Sequence, residues 1–417
     1  MPRYLTLLWM PLLALSALGA PSVDWVPSAL PPAPARGPIL CQAAYLTPAQ
    51  GRAVLDAALA RFPNRDAWQA YVDHARCRIQ GGAGLDPWPR RSPLNAVVRA
   101  RRVHEGYSVE NVAFESVPGY FVTGNLYRPL DPKPPYAVVL ITHGHASPIE
   151  KPEDYDHYGR FDPSTQACGA ALARMGAVAL AVDMFGMGDS ILEVGQEAHA
   201  HPFSMTIQLW DNIRAVDFLL SLDGADPSRV GVTGYSGGGT QAFLLTAVDP
   251  RIRVSVPVVM VSAYFFGGCP CESGLPIHRS ADHFVNNAMI ASFAAPRPML
   301  VVSDGIDWTS TVPTLEFPFL KRIYAYYGAE DQVAHVHLPK EGHDYGPSKR
   351  EAMYRFMAQH LDLNLAAVED GAGRIDESRI AIERSGPMHV FNGAFPVPAR
   401  ALRDSSAVKR ALEALQG

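Results

Sequence analysis

Ser236 is the residue of this chain best suited to nucleophilic chemistry. It stands between Gly234 and Gly238 in a Gly-x-Ser-x-Gly pattern that follows the apolar run 230–233. The pattern predicts a strand that turns sharply into a helix, with the serine hydroxyl pushed out at the edge of a sheet. Only glycine at the flanking positions allows the two backbones to approach that closely. Taken alone, the pattern is also compatible with a glycine-rich packing turn.

Two residues further along the chain could activate this serine. A serine hydroxyl becomes a good nucleophile when a histidine accepts its proton and a carboxylate orients the imidazole. Asp307 and His343 follow Ser236 in that order, each just after a predicted strand. Because parallel strands end at one edge of a sheet, we expect the three side chains to meet there. Asp304 is the alternative acid, although Asp307 lies deeper in the shared loop.

An attack on a carbonyl group also requires two backbone amides that stabilise the developing oxyanion. We expect one amide from Gly237, directly after the nucleophile, and the other from His145, with Ala146 next to it. Trp308 and Glu272 are candidates for contacts with a substrate, since an indole can cover a sugar face and a carboxylate can bind hydroxyl groups. A packed indole and a solvated glutamate are the alternatives.

We expect no metal and no cofactor. Three pairs of potential ligands repeat one spacing: His143 and His145, His199 and His201, Cys269 and Cys271. No histidine pair has a third ligand at a suitable spacing, and a Cys-x-Cys without a second matched pair is a weak metal signal. A zinc site shared by the two histidine pairs is the open alternative.

The chain has five cysteines. Cys41 with Cys77 is a plausible disulfide in an exported protein, and so is one that involves Cys269 or Cys271. The last two are expected to bridge each other poorly, because they are only two residues apart. Cys168 stands in an alanine-rich helical stretch and is expected to belong to the core.

The first 20 residues have the layout of a secretory signal peptide. Arg3 precedes an apolar run over 4–18, and small residues surround the expected cleavage point near Gly19 or Ala20. The apolar run is shorter than the about 20 residues that a membrane-spanning helix needs. We therefore expect a secreted or periplasmic protein without stable membrane insertion after cleavage. Residues 21–38 are rich in proline, alanine and serine, as in a linker.

The overall composition is that of a globular protein. With 417 residues, 48% of them hydrophobic, the chain can bury a large core. Its formal charge of −5 is mild, and no basic stripe indicates a nucleic-acid partner.

The elements that must position the candidate residues form an alternating pattern. A hairpin is predicted over 107–127, and later strands over 137–142, 177–183, 229–233, 254–261, 299–303 and 334–338. These are continuous apolar runs, as expected for strands covered on both faces, and helices are predicted between them. The pattern predicts an α/β fold: a mostly parallel, doubly wound sheet with an antiparallel hairpin at its start.

The remaining segments flank this sheet. Residues 39–105 are predicted to form a small N-terminal helical cap, beginning with a helix capped by Thr47. Residues 106–363 would then be the catalytic domain, and 364–417 a C-terminal extension of unassigned role with a terminal helix. The segment 263–296 shows no clear element and is expected to shape the substrate site.

The chain resembles secreted bacterial α/β-hydrolases of the acetylxylan-esterase-like group, which are related to dienelactone hydrolases and prolyl-oligopeptidase-type catalytic domains. The segments that carry the resemblance are 124–129 (GNLYRP), 143–145 (HGH), 183–190 (DMFGMGDS), 234–241 (GYSGGGTQ), 304–309 (DGIDWT) and 341–346 (EGHDYG). The resemblance implies an α/β-hydrolase fold with Ser236, Asp307 and His343 as the catalytic triad, in the chain order of that fold. Related glucuronoyl esterases carry an arginine directly after the nucleophile, so Gly237 argues against that activity.

The expected function is that of a secreted serine esterase that works through an acyl-enzyme and removes acetyl groups from carbohydrate. Its partner would be a small-molecule or carbohydrate ester. A serine peptidase or amidase of the prolyl-oligopeptidase type is one alternative, although only about 65 residues separate the linker from the hairpin, too few for a propeller. A non-catalytic carbohydrate-binding protein on the same fold is the other alternative.

Overall fold

The computed structural model describes residues 23–27, 45–145, 148–273 and 276–417. The predicted signal peptide, most of the predicted linker, Cys41 and Ala146 lie outside these ranges. Within them, every helix is too short or too polar to cross a membrane.

Nine strands of the described chain form one sheet in the order β1-β2-β3-β5-β4-β6-β7-β8-β9. Their bounds are β1 Val97–His104, β2 Tyr107–Val117, β3 Tyr120–Pro129, β4 Tyr136–Thr142, β5 Val178–Val182, β6 Ala225–Tyr235, β7 Val254–Val258, β8 Met299–Asp304 and β9 Val333–Leu338. Strands β4 to β9 pair in parallel, whereas β1, β2 and β3 pair antiparallel. The predicted mostly parallel sheet with an antiparallel hairpin at its start is confirmed.

The helices cover both faces of this sheet. They are α1 Pro48–Arg61, α2 Arg65–Gly82, α3 Pro163–Arg174, α4 Ile191–Val194, α5 Ser204–Leu220, α6 Gly237–Val248, α7 Pro270–Ser273, α8 Asn287–Ser292, α9 Glu316–Ala325, α10 Pro347–Leu361, α11 Ser385–Met388 and α12 Ser405–Glu413. Successive residues of β4 point to opposite sides: Val138 joins the core under α5, α6 and α9, and Val139 joins the core under α3 and α10. Burial on both faces explains why these strands are continuous apolar runs.

Helices α1 and α2 belong to the larger of these two cores. Thr47 caps α1 and forms a capping box with Gln50, as predicted. On α2, Trp68 is fully buried, and its ring lies 6.2 Å from that of Phe293 and 5.9 Å from that of Phe319. The two N-terminal helices therefore cover the same face of the sheet as α9.

The C-terminal extension packs beside the antiparallel end of the sheet. Asn111 of β2 donates hydrogen bonds to the carbonyl oxygens of Pro387 at 3.0 Å and His389 at 2.8 Å. The fully buried Arg160 donates to Asp189 at 2.8 Å and to the carbonyl oxygen of Met388 at 3.0 Å. The extension thus satisfies buried polar groups of the sheet domain.

Three features differ from the sequence-based expectations. Strand β1 was not predicted, because its three arginines and its mostly exposed residues hide the alternation of an edge strand. Strand β7 ends at Val258 rather than at 261, since Val259 adopts a positive φ of 48° that extended backbone does not allow. The segment 263–296, predicted to lack a clear element, contains α7 and α8.

The cysteine pairing also differs. Cys269 and Cys271 are joined by a disulfide, against the expectation that such close neighbours bridge poorly. Their Cα atoms are 5.3 Å apart, a separation that disulfides commonly span, and Pro270 lies between them in α7. Cys77 is an exposed free thiol, and its expected partner Cys41 lies outside the described residues. Cys168 is buried in the core, as expected.

Candidate active site

Ser236 occupies a sharp turn between β6 and α6. Its backbone has φ 55° and ψ −127°, and its amide donates to the carbonyl oxygen of Val258 at 3.1 Å. A Cβ added at Gly234 would lie 2.1 Å from Thr142 Oγ1, and one at Gly238 would lie 2.1 Å from Thr142 O. Both flanking positions therefore require glycine. A non-glycine residue at such a φ stores about 1–3 kcal/mol of strain, which the surrounding sheet must hold.

Asp307 and His343 meet at the carboxyl edge of the sheet. His343 donates from Nδ1 to Asp307 Oδ2 at 2.6 Å, and the Asp307 side chain is only 6% exposed. The other oxygen of Asp307 accepts from the amide and the hydroxyl of Thr309, each at 2.6 Å. With Nδ1 bonded to the carboxylate, the imidazole is fixed in the tautomer whose Nε2 can accept a proton.

Asp304 has a different role from Asp307. Its Oδ1 accepts the amides of Ile306 and Asp307, each at 3.1 Å, so this buried carboxyl braces the turn that carries Asp307. Burial and the neighbouring charge of Asp307 raise the pKa of Asp304. The structure places Asp307, not Asp304, against His343.

Lys349 holds the loop that carries His343, and the sequence analysis missed it. Its side chain is fully buried, and Nζ donates to Gly342 O at 2.5 Å and to Asp344 Oδ1 at 2.7 Å. Asp304 lies 3.6 Å from the same ammonium. Burial opposes ionisation of Asp344, but the hydrogen bond from Lys349 lowers the pKa of that carboxyl. A lysine in the first turn of α10, shortly after the acidic residues Glu341 and Asp344, was the signal available in the sequence.

Ser236 and His343 line one open cavity of about 450 Å³. Its wall is mostly polar and also includes His145, His157, Asp162, Ser164, Tyr235, Asp344 and Arg350. Arg350 donates from Nε to Glu377 Oε1 at 2.8 Å, so the C-terminal extension supports this wall. Such a cavity suits a polar substrate.

The two expected oxyanion donors are neighbours in space. Gly237 opens α6, where the helix leaves its first amides without intrahelical partners. The imidazole of His145 lies over Gly237, since a Cβ added there would be 2.4 Å from His145 Cε1. Burial and the charge of His343 lower the pKa of His145 to about 4, so the ring is neutral near pH 7. The register of β4 against β6, with Thr142 opposite Gly234, brings this loop to the turn.

The two expected substrate contacts lie close to the triad. The Trp308 ring stacks on Phe265 with centroids 3.8 Å apart, and its centroid is 4.7 Å from that of His343. Glu272 is buried and accepts a hydrogen bond from the Gly268 amide; burial raises its pKa to about 7. Its Oε1 lies 3.9 Å from His145 Nδ1, too far for a hydrogen bond. Direct contact of either residue with a substrate stays a prediction.

Comparisons with known proteins bear on the fold and the enzyme class of the chain. No family model matches the chain. The solved structure of methylesterase BT1017 is 39% identical, with a TM-score of 0.79 over 89% of this chain and 81% of its own. The protein YtaP of Bacillus subtilis, assigned to the hydrolases by name, is 26% identical over 297 residues, 66% of this chain and 96% of its own. A glucuronoyl esterase from Solibacter usitatus, 16% identical with a TM-score of 0.50 over 71% of this chain and 94% of its own, shares the fold alone.

Proposed function

Since the chain is an acetylxylan-esterase-like α/β-hydrolase and a relative of methylesterase BT1017, we propose that it is a serine esterase acting on carboxylic esters of carbohydrates. The observation that carries the proposal is the 2.6 Å contact of His343 with Asp307, beside a cavity that His343 lines together with Ser236. Ser236 itself has the strained backbone of a nucleophile turn.

The proposed reaction passes through an acyl-enzyme. Ser236 Oγ attacks the ester carbonyl carbon while His343 Nε2 accepts the hydroxyl proton. Asp307 stabilises the imidazolium, and the amides of Gly237 and His145 bind the oxyanion. His343 then gives its proton to the leaving alcohol. In the second half, His343 accepts a proton from water, whose oxygen attacks the acyl carbon and releases Ser236.

Two kinds of carbohydrate ester fit this chemistry. A methyl ester would leave the sugar acid on Ser236 and release methanol, whereas an acetylated sugar would leave an acetyl group and release the sugar. The 39% identical relative, a methylesterase, favours the methyl ester. Deacetylation, the reaction expected from the sequence, is the second candidate. Related glucuronoyl esterases carry an arginine at the position of Gly237, and here His145 fills the space that a side chain would need. Gly237 therefore disfavours glucuronoyl esterase activity.

A chromogenic acetyl ester tests the nucleophile. We expect Ser236→Ala to lower kcat by roughly 10⁴-fold or more, while Ser348→Ala, an exposed serine on α10, keeps wild-type activity. Activity that survives in Ser236→Ala would refute the triad. No activity in the wild type on any ester would favour a non-catalytic binding protein.

A substrate panel then separates the candidates. The purified protein is given methyl-esterified and acetylated polysaccharides and aminoacyl amides, and methanol, acetate and free amine are measured. Methanol release supports the first candidate, and acetate release the second. Hydrolysis of amides in preference to both esters would support a peptidase or amidase instead.

We also propose that residues 1–20 direct export and that 106–363 form the catalytic domain. The signal sequence layout supports the first proposal. Strands β2 to β9 with their helices support the second, and 97–104 adds the edge strand β1 to the same sheet from outside these bounds. Mass spectrometry of the mature protein tests the first: an N-terminus near residue 20 is expected, and an intact residue 1 would contradict it.

A further inference from the structure

Four side chains that commonly bind metals meet beside the proposed oxyanion hole. They are His145 from the loop after β4, His199 from the segment before α5, and Cys269 and Cys271 from the loop of α7. One nitrogen or sulfur atom from each lies within 4.8 Å of all the others. The residues come from three segments distant in sequence, so spacing along the chain could not reveal the set.

The distances within this cluster approximate those around a tetrahedral ion. His145 Nε2 lies 3.0 Å from Cys271 Sγ and 3.4 Å from Cys269 Sγ, and His199 Nε2 lies 3.9 Å from Cys269 Sγ. Around tetrahedral Zn²⁺, with Zn–S of about 2.3 Å and Zn–N of about 2.0–2.1 Å, neighbouring nitrogen and sulfur atoms are about 3.6 Å apart. The nitrogen–sulfur separations bracket this value. Only the two sulfurs, which are bonded to each other, would have to separate, to about 3.8 Å.

The far side of the His199 imidazole is bound as it is in zinc sites. His199 Nδ1 donates a hydrogen bond to the carbonyl oxygen of Phe185 at 2.9 Å, since a carbonyl can only accept one, so Nε2 keeps its lone pair toward the cysteines. A metal-ligating histidine usually gives its other N–H to a carbonyl or a carboxylate in this way, which orients the ring.

We propose that His145, His199 and the reduced thiols of Cys269 and Cys271 bind one Zn²⁺ ion in a Cys₂His₂ site, and that the disulfide is its oxidised, metal-free form. A phosphine reductant converts the disulfide and one water molecule into two thiols and a phosphine oxide. Zinc then replaces the two thiol protons, which pass to solvent. With four protein ligands the site is closed, so its role is structural.

The proposed zinc site lies next to the proposed oxyanion hole, so a bound ion would affect the oxyanion amides. Because the His145 ring lies directly over Gly237, an ion that binds His145 Nε2 fixes the loop that is to supply one oxyanion amide. The segment 269–271, which carries the two cysteines, would then be bound to the same ion. Zinc binding therefore orders the oxyanion side of the cavity without touching the substrate.

Metal titration of the untagged full chain tests the proposal. The protein is reduced with a phosphine, freed of reductant without air, and titrated with Co²⁺ and then Zn²⁺. We expect one Co²⁺ per chain with the visible absorption of a tetrahedral thiolate site, displaced by one Zn²⁺. Cys271→Ser and His199→Ala should abolish that absorption. Cys77→Ser and His201→Ala, which remove a thiol and an imidazole outside the cluster, should keep it.

Two results of this titration would overturn the proposal of a zinc site. Reduced wild type that binds no Co²⁺, or full binding by His199→Ala, would overturn the proposal. Circular dichroism shows whether a variant has folded, and His199→Gln, which keeps a polar side chain, replaces His199→Ala if that variant does not. Metal content is measured without any ester, so failure here is distinct from failure of the proposed esterase function.

Discussion

Lys349 offers the sharpest test of how the fold positions His343. Its ammonium lies between Gly342 and Asp344, the two residues on either side of His343. Lys349→Met keeps most of the side-chain volume but removes the charge and every donated hydrogen bond. The His343 loop then loses the hydrogen bonds that hold it on both sides of the imidazole, and we expect the imidazole to leave its aligned position.

The size of the effect follows from the partners of the ammonium. Asp304 is fully buried at 3.6 Å, and leaving a buried charge unpaired costs about 3–5 kcal/mol of folding free energy. Asp344 is 61% exposed, so its share is screened and adds less than about 1 kcal/mol. A displacement of the base by about 1 Å costs roughly 100-fold in rate, or about 2.7 kcal/mol of activation free energy.

Steady-state kinetics on a chromogenic ester, with urea denaturation in parallel, measure both effects. We expect kcat to fall roughly 100-fold with KM almost unchanged, because a positioning residue acts on the base and not on substrate binding. Lys340→Met, which removes an exposed lysine of the same loop, is the control and should leave both measurements unchanged. A Lys349→Met variant with wild-type kcat, or one in which only KM rises, would refute the reasoning.

Two further predictions concern other parts of the structure. Gly237→Ala places a Cβ 2.4 Å from His145 Cε1, so kcat should fall roughly 100-fold or more because the oxyanion amides are displaced. Gly371→Ala, where a Cβ meets nothing within 4 Å, is the control. Equal kcat values in the two variants would contradict the prediction. Burial raises the pKa of Glu316 from 4.5 to about 7, so the stability from its protonated form is complete below pH 4.5 and is lost as pH rises through 7. In urea denaturation, the free energy of unfolding of Glu316→Gln relative to that of the wild type should therefore rise by about 2–3 kcal/mol from pH 5 to pH 8. An equal difference at both pH values would contradict this.

The part of the fold that carries the site could be predicted because its strands are buried on both faces. Continuous apolar runs predicted β4, β5, β8 and β9 to within one residue at each end, whereas β6 begins four residues before and β7 ends three residues before the predicted point. Each predicted triad residue follows one of these strands. Strand β1 could not be found in this way, since an edge strand rich in arginine lacks the apolar pattern on which such predictions rest.

The choice between Asp304 and Asp307 shows what a sequence pattern does not contain. Both are carboxyls in one short loop, and their roles depend on which way each side chain turns. Asp304 turns back to accept the amides of its own turn, and that turn directs Asp307 outward to His343. The depth of Asp307 in the loop favours it as the acid, but the role of Asp304 as its support emerges only from the hydrogen bonds.

Contacts between distant segments set the limit of sequence analysis here. Lys349 is an ordinary charged residue in an amphipathic helix until the fold buries it among three carboxylates. His145 and Cys271 are likewise 126 residues apart, and no spacing rule for metal ligands covers that interval. The residues that react can be recognised by their motifs, because each motif must build a local turn. The residues that hold them are chosen by tertiary contacts, and a lysine or histidine that supports the site looks in the sequence like any other.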